Sequence, residues 1–256
     1  MTLPPDDFLP REDETLDAFH RGRIRILQKK KGFRFSLDAA LLADFVRVEP
    51  GEDVAELGAG NGIVALLLAR KPFRRLVAVE IQEGLADLAR RNAALNGLSD
   101  RIEIIRADLR EWDPGRPFDV ICSNPPYIRR NAGFPSASEE KTVAKHEVSC
   151  DILDVLRAAA RLLKPAGRAY IVYPGRRRSD LEAAAGRAGL RIHALRPVHP
   201  REGAPAGHIL VELGAGDPGP GGARALPPLV LFGPDGGHTD EARAIFEGRD
   251  GDPAVR

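Results

Sequence analysis

The sequence has little cysteine, no long apolar run and almost no net charge. Its two cysteines, Cys122 and Cys150, are too few for the disulfide framework of a small secreted protein. No apolar stretch approaches the roughly 20 residues of a membrane-spanning helix, and no signal-like segment starts at Met1. A formal net charge of +1 argues against a uniformly basic coat for nucleic acid. We therefore expect a cytoplasmic protein without a membrane segment.

Metal-ligand patterns are absent as well. The six histidines show no spacing typical of a metal site, so no metal is predicted. Cys122 lies in an apolar stretch and is expected to be a small core residue rather than a reactive thiol.

Charge is concentrated in two neighbouring N-terminal stretches of opposite sign. Residues 6–17 carry many acids against Arg11 alone, whereas residues 21–34 carry only bases. We expect residues 1–20 to form a mobile acidic N-terminus. Residues 21–50 are predicted to form a basic arm followed by a helix, with Ser36 as its N-cap.

From Glu52 onward, short apolar strands alternate with helices. This alternation predicts an α/β fold with a mostly parallel sheet of seven strands and helices on both faces. The last two of these strands, 191–198 and 207–213, have no helix between them, so we expect them to pair antiparallel at one edge. The main domain is predicted to span 51–213, and 214–256 to be a Gly/Pro linker with a short strand and a short capped helix.

A glycine-rich turn follows the first strand of this domain. Gly58, Gly60 and Gly62 lie in "ELGAGNG", between a strand and a helix. Glycines there allow a ligand to approach the backbone closely, and the crevice at the carboxyl end of such a strand receives ligands in open α/β sheets. The spacing differs from the dinucleotide pattern G-x-G-x-x-G, and a glycine-rich turn by itself also serves simply to join a strand to a helix.

Acidic residues end the next two strands. Glu80 lies roughly 20 residues after the glycines, where a carboxylate can accept hydrogen bonds from ribose hydroxyls. Asp108 ends the third strand and could meet an adenine amino group. Together with Glu56, these acids indicate a ligand site along one edge of the sheet.

The fourth strand ends in "SNPPYI", an amide followed by two prolines and an aromatic ring. Glycines at the first strand, acids at the second and third, and Asn-Pro-Pro-Tyr at the fourth resemble the class I S-adenosylmethionine-dependent methyltransferases that modify planar amino groups, which have a Rossmann-like fold. The resemblance implies that Asn124 and Pro125 accept hydrogen bonds from the acceptor amine. Pro126 would stiffen this turn and Tyr127 would stack on the base.

Three segments extend the resemblance: "QKKKGFRFSLDAALLADF", "SNPPYI" and "LFGPDGGHTDEARAIFEG". Together they are similar to the bacterial tRNA (adenine-N6)-methyltransferases that act on valine tRNA beside the anticodon. The resemblance covers nearly the whole chain from Arg23, although His238 stands where a tyrosine is expected.

The resemblance implies S-adenosylmethionine as cofactor, S-adenosylhomocysteine as product and tRNA as partner. Its implied cofactor contacts are Phe35, Asp38, Glu56, Gly58, Ala59, Gly60, Asn61, Gly62, Glu80, Ile81, Asp108, Leu109 and Asn124.

Basic residues are the candidates for contact with RNA phosphates. They are Arg21, Arg23, Arg25, Lys29, Lys30, Lys31, Arg34, Arg129 and Arg130. On charge alone, the same residues could equally form a solvated surface.

Other functions fit parts of the pattern. Guanine-N2 methylation of ribosomal RNA and N5-methylation of a protein glutamine both use a planar amino group. The glutamine enzymes have a substantial helical domain before the glycine turn, whereas only about 50 residues precede it here. A non-catalytic RNA-binding protein is disfavoured by the intact Asn124, Glu80 and glycines, and a dehydrogenase by the glycine spacing. A monomer is slightly favoured.

Overall fold

The computed structural model describes residues 9–31, 34, 36–126 and 150–248. Within these residues the chain forms a two-stranded hairpin and a nine-stranded sheet with helices on both faces. None of the helices in this part of the chain is long and apolar enough to cross a membrane.

The strands have the following bounds: β1 (Glu14–Phe19), β2 (Ile24–Lys29), β3 (Asp53–Leu57), β4 (Arg75–Glu80), β5 (Ile102–Arg106), β6 (Phe118–Ser123), β7 (Leu163–Pro174), β8 (Arg191–Arg201), β9 (His208–Gly214), β10 (Arg224–Ala225) and β11 (Leu229–Phe232). The helices are α1 (Asp38–Phe45), α2 (Ile63–Leu68), α3 (Glu83–Leu95), α4 (Ile152–Leu162), α5 (Arg178–Arg187) and α6 (Asp240–Glu247).

The order of the large sheet is β10-β8-β9-β7-β6-β3-β4-β5, with β11 also paired to β8. Strands β3 to β7 are parallel, and β9 is antiparallel to both β7 and β8. The chain moves outward from β3 to β5 and then returns to β6 on the other side of β3. This reversal between β3 and β6 is the switch point at which open α/β sheets bind ligands at their carboxyl ends.

The predicted fold is confirmed, and the seven expected strands are β3 to β9. The antiparallel pairing of β8 with β9 is also confirmed. Strand β8 is not the outer edge, however, because the short strands β10 and β11 pair with it in parallel.

The acidic and basic N-terminal stretches are partners rather than separate segments. The expected mobile N-terminus is wrong for β1, which pairs antiparallel with β2 along its whole length. The pairing brings opposite charges together: Lys29 Nζ lies 2.8 Å from Asp13 and Arg34 Nη2 lies 2.7 Å from Asp17. Like the basic arm, the acidic stretch is therefore ordered by cross-strand pairing from Glu14 onward.

The prediction that Ser36 caps the first helix is wrong. Helix α1 begins at Asp38, its N-cap is Leu37, and no side chain caps it. The Ser36 hydroxyl instead donates to the Asp38 carboxylate at 2.8 Å. The predicted capping of the last helix is confirmed, since the Thr239 hydroxyl accepts from the Ala242 N–H at 3.2 Å.

Asn92 of α3 and Asn96, its C-cap, attach the hairpin to this helix. The Asn92 side chain accepts from Leu27 N–H at 2.7 Å and donates to Leu27 C=O at 3.0 Å. One helical turn later, Asn96 makes the same pair of bonds to Arg25, at 3.0 and 2.7 Å. Because the two amides follow one edge of β2, they satisfy backbone groups that would otherwise be left unpaired.

The hairpin and the C-terminal helix share one hydrophobic core with the main sheet. Ile24 of β2 and Ile245 and Phe246 of α6 belong to the same buried cluster as Leu42 of α1 and Val54 of β3. The boundaries predicted at 51 and 213 therefore divide residues that pack together.

His238 has a structural position in the C-terminal segment. Its ring stacks on Phe232 with centroids 4.9 Å apart and lies 5.0 Å from the ring of Phe246. An aromatic imidazole can thus fill the place where the resemblance suggested a tyrosine.

Replacing Ile245 with alanine tests whether α6 belongs to the core. The substitution Ile245→Ala should lower the free energy of unfolding by about 2–5 kcal/mol, because a buried aliphatic side chain is lost and a cavity remains. The measurement is urea denaturation followed by both circular dichroism and tryptophan fluorescence of Trp112. Arg243→Ala, which changes an exposed residue of the same helix, should alter it by about 0.5 kcal/mol or less. Equal stabilities of the two variants would show that α6 is a dispensable appendage.

Candidate functional site

A cavity of about 340 Å³ lies at the carboxyl ends of β3, β4, β5 and β6, at the switch point. Of the predicted site residues it is lined by Asp38, Gly58, Gly60, Glu80, Ile81, Asp108, Leu109, Asn124, Pro125 and Pro126. These residues come from five separate stretches of sequence and meet at one place.

The glycine turn after β3 forms one wall of the cavity. Gly58 and Gly60 have φ angles of 74° and 57°, in the left-handed region that glycine adopts without strain. A Cβ at Gly58 would meet no atom within 4 Å, so that the backbone itself faces open space. Gly62, with φ of 84°, is the N-cap of α2, and a Cβ there would lie 3.1 Å from Ala89 of α3.

Glu80 fixes the shape of this wall. One oxygen of its buried carboxylate accepts from the Gly60 N–H at 2.8 Å, and the other accepts from the Gln82 N–H at 2.8 Å. Burial raises the pKa of Glu80, and the hydrogen bonds from Gln82 and Gly60 oppose this shift. The Ile81 N–H bonds the carboxylate as well, and since a carboxylate offers about four lone-pair sites, acceptor capacity remains for a ligand.

Asp108 lines the cavity in an ion pair with Arg110. The guanidinium of Arg110 and its backbone N–H both donate to the Asp108 carboxylate, the backbone bond being 2.9 Å long. These hydrogen bonds hold the pKa of Asp108 below its ordinary value. Asp108 therefore stays ionised, and Arg110 covers part of the carboxylate that was predicted to face the cofactor.

Glu56 lies behind the glycine turn, in a smaller cavity of about 50 Å³. Ala59, Arg34 and Asn124 also line this cavity. The Glu56 carboxylate accepts from the Ala65 N–H of α2 at 2.9 Å. Burial, and then the nearby charge of Glu80, raise the pKa of Glu56 to about 8.

Asn124 connects the two cavities. It follows the last residue of β6, is half-buried, and lines both the large and the small cavity. Pro125 is buried behind it and Pro126 is exposed at the cavity mouth. Tyr127, Arg129 and Arg130, and also Phe35, lie outside the described residues, so their predicted roles stay predictions.

Asp38 reaches the cavity from the first turn of α1. Its carboxylate lies 3.4 Å from Nε2 of His208, the first residue of β9. Asn61, in contrast, does not line either cavity: it is fully buried, and its side-chain amide has no hydrogen-bond partner among the described residues.

Three bases of the basic arm form ion pairs with acids. Lys29 and Arg34 are paired with acids of the hairpin, and Arg21 lies 3.0 Å from Glu247 of α6. Arg25 donates to the Leu95 carbonyl and Lys30 to the Glu12 carbonyl. Arg23 and Lys31 belong to the same hairpin segment, and only Arg34 reaches a cavity.

Several lining residues were not predicted from the sequence. They are Ser36, Leu57, Val79, Gln82, Leu85, Ala107, Arg110, Ser123, Cys150 and Val155. Most of them lie next to predicted residues at strand ends, and this position in the sequence could have identified them. Cys150 and Val155 come from the start of α4 and carry no local signal. Burial raises the pKa of Cys150 to about 12, so its thiol stays protonated.

No group of three or more histidine, cysteine or acidic residues within the described ranges could hold a metal ion.

The chain matches a known protein family. The family model for the methyltransferase small domain matches residues 34–179. Tyr127, Asn124 and the glycine turn fall inside this range.

Curated relatives are 28–32% identical to the chain over the aligned residues. The tRNA1(Val) (adenine(37)-N6)-methyltransferase of Aeromonas hydrophila is 32% identical over 204 residues, which are 79% of this chain and 83% of that protein. The enzyme of the same name from Bacteroides thetaiotaomicron is 32% identical over 158 residues, 61% of this chain and 66% of that protein. Among solved structures, a predicted O-methyltransferase from Agrobacterium tumefaciens has a TM-score of 0.62 at 24% identity, covering 81% of this chain and 94% of that one. This last likeness concerns the fold.

The buried carboxyl of Glu56 should make stability depend on pH. Between its ordinary pKa of 4.5 and the raised value of about 8, the folded protein keeps a proton that the unfolded chain releases. The free energy of unfolding should therefore fall with rising pH, by about 1.4 kcal/mol per pH unit from this group. Glu56→Gln keeps an acceptor for Ala65 N–H and has no proton to lose, so this part of the decline should disappear.

The measurement is urea denaturation of both proteins across this pH range. Glu111→Gln, at an exposed position, is the control for loss of a carboxyl group. Parallel curves for the unsubstituted protein and Glu56→Gln would contradict the assignment.

Proposed function

The chain belongs to the methyltransferase small domain family, and on that premise we propose that it methylates N6 of an adenine in tRNA. It is an S-adenosylmethionine-dependent methyltransferase. The main observation that supports this proposal is the position of Asn124 and Pro125 on the wall of the large cavity, at the end of β6. The names of the relatives support adenine in valine tRNA, beside the anticodon, as the acceptor.

The residues of the large cavity fit S-adenosylmethionine. Glu80 presents a buried carboxylate with spare acceptor capacity at the end of β4, the place where ribose hydroxyls are bound in such sheets. The open space at Gly58 allows a ligand to lie against the backbone. We propose that Asp108 and Leu109 contact the adenine end of the cofactor and that Asp38 contacts its methionine end.

The acceptor amine would be oriented by the Asn-Pro-Pro turn. When bound, S-adenosylmethionine supplies a methyl group on a cationic sulfonium, which is a good leaving group. An exocyclic amine is a poor nucleophile, because its lone pair is delocalised into the ring. The Asn124 side-chain oxygen and the Pro125 carbonyl would accept its two N–H bonds, which favours a pyramidal nitrogen whose lone pair is available.

Proline makes these acceptors rigid. Pro125 and Pro126 have fixed φ angles and no N–H groups, so that the turn cannot continue a strand and its carbonyl groups keep their direction. A preorganised acceptor needs little reorganisation during the reaction, which is the property that makes such groups effective. Tyr127 would hold the plane of the base by stacking.

The base must leave its stack to enter this cavity. An adenine in an anticodon loop is already unpaired, so extruding it costs less free energy than flipping a paired base. An unpaired adenine is therefore a suitable acceptor for a site in this cavity.

The acceptor is tested with labelled S-adenosylmethionine and three substrates: total tRNA, ribosomal RNA and total protein. Label should enter tRNA, and nucleoside mass spectrometry of that tRNA should show N6-methyladenosine. N2-methylguanosine in ribosomal RNA, or label in protein glutamine, would replace the proposal with one of the alternative acceptors. Total tRNA from cells lacking the gene is the most sensitive substrate, because its site is unmodified.

Replacing Asn124 tests the catalytic assignment. Asn124→Ala should lower kcat on the order of 100-fold, the loss expected when one preorganised hydrogen-bonding group is removed. The affinity for S-adenosylhomocysteine, measured by calorimetry, should fall much less than kcat, because Glu80 and the glycine turn remain. Unchanged methyl transfer in this variant would refute the assignment, and Ser99→Ala, in the loop after α3, provides a control substitution outside the cavity.

A further inference from the structure

Arginines that the proposed function leaves unassigned lie at the carboxyl ends of β7 and β8. These two strands run in the same direction, since each is antiparallel to β9, which lies between them. Strand β7 is also parallel to β6, which ends at Asn124. The ends of β6, β7 and β8 therefore form one continuous edge of the sheet.

Backbone contacts show that these ends are close together. Pro174, the last residue of β7, is in register with His208, which is in register with Val198 of β8. Gly175 N–H donates to Gly207 C=O at 2.9 Å, and Gly207 N–H donates to Val198 C=O at 2.9 Å. With three strand spacings of about 4.8 Å each, β8 lies roughly 14 Å from β6.

Three exposed arginines lie at these strand ends: Arg176, Arg178 and Arg201. We call them the β7–β8 rim. Arg176 follows the end of β7 by two residues, Arg178 begins α5, and Arg201 ends β8. Arg178 forms an ion pair with Glu182 at 2.7 Å, so the unpaired positive charge of the rim lies on Arg176 and Arg201.

Arg176 and Arg201 differ from the basic arm in their pairing. Neither has an ion pair or a side-chain hydrogen bond within the described residues, whereas Lys29 and Arg34 both have carboxylate partners. The acids nearest to them in sequence do not pair with them: Asp180 pairs with Arg177, Glu182 pairs with Arg178, and Glu202 is exposed beside Arg201. The positive charge of the rim is thus available to an external anion.

We propose that the β7–β8 rim, rather than the basic arm, binds the phosphate backbone of the RNA substrate. This inference rests on the proposed function for the nature of the substrate. The cofactor cavity lies at the ends of β3 to β6, and the rim lies beyond Asn124 at the ends of β7 and β8. RNA held on the rim would present an extruded base to Asn124 without covering the cofactor cavity. Contacts with phosphate supply affinity and position but read no sequence.

A double substitution, Arg176→Gln with Arg201→Gln, tests the rim. Its matched control is Arg157→Gln with Arg187→Gln, which removes the same charge from exposed arginines of α4 and of the far end of α5. Binding of total tRNA to the full chain, loaded with S-adenosylhomocysteine, is measured over a range of salt concentrations. KM and kcat for methyl transfer and the affinity for S-adenosylhomocysteine are measured in parallel.

The rim variant should bind tRNA about tenfold more weakly or worse, with a matching rise in KM. Its plot of log K against log salt should be shallower by about two units, one for each lost phosphate contact. The affinity for S-adenosylhomocysteine should be unchanged. A rim variant that behaves like the control would overturn the proposal.

The two proposals fail in different ways. If tRNA binding depends on Arg176 and Arg201 but no methyl enters tRNA, the rim is supported and the proposed acceptor is wrong. If methyl enters tRNA while binding and KM are independent of both arginines, the acceptor is supported and the rim is refuted. Absence of tRNA binding by the unsubstituted protein would refute the rim as well.

Discussion

The hydrogen bonds of the Glu80 carboxylate hold the cofactor side of the site together. By bonding Gly60 N–H and Gln82 N–H, this one side chain fastens the glycine turn after β3 to the end of β4. Of this turn, Gly58 and Gly60 line the large cavity, so that no side chain of the turn fills it. Burial of the carboxylate strengthens its bonds, and also makes its charge sensitive to a cationic ligand.

The N-terminal hairpin shows how pairing changes the meaning of a charged segment. Taken alone, residues 21–34 are a basic stretch typical of RNA contact. In the fold, Lys29 and Arg34 pair with acids of the preceding stretch, and Asn92 and Asn96 bind the hairpin to α3. An ion pair with a protein carboxylate lowers the capacity of a lysine or arginine to attract phosphate. Net charge along a sequence is therefore a poor guide to a binding surface when an opposite charge lies across a strand pair.

The site combines local order with distant contacts. The glycine turn, the acids at strand ends and the Asn-Pro-Pro turn all lie at the carboxyl ends of parallel strands. The parallel arrangement brings them to one edge of the sheet. The rim at β7 and β8 lies on that edge as well, yet its arginines belong to a loop and to an antiparallel region with no recognisable motif. Their alignment with Asn124 depends on β9, which reverses direction between them.

The sequence by itself determined the α/β class, the seven strands of the sheet core, the antiparallel pair and the residues at the ends of β3, β4 and β6. These features follow from local periodicity and from turn chemistry at Gly58 and Pro125, which act over a few residues. Only the tertiary structure decided that β1 is ordered, that α6 completes the core, that Arg110 covers Asp108 and that Cys150 lines the cavity. Each of these depends on contacts between residues far apart in the chain or on side-chain directions, and neither leaves a periodic signal in the sequence.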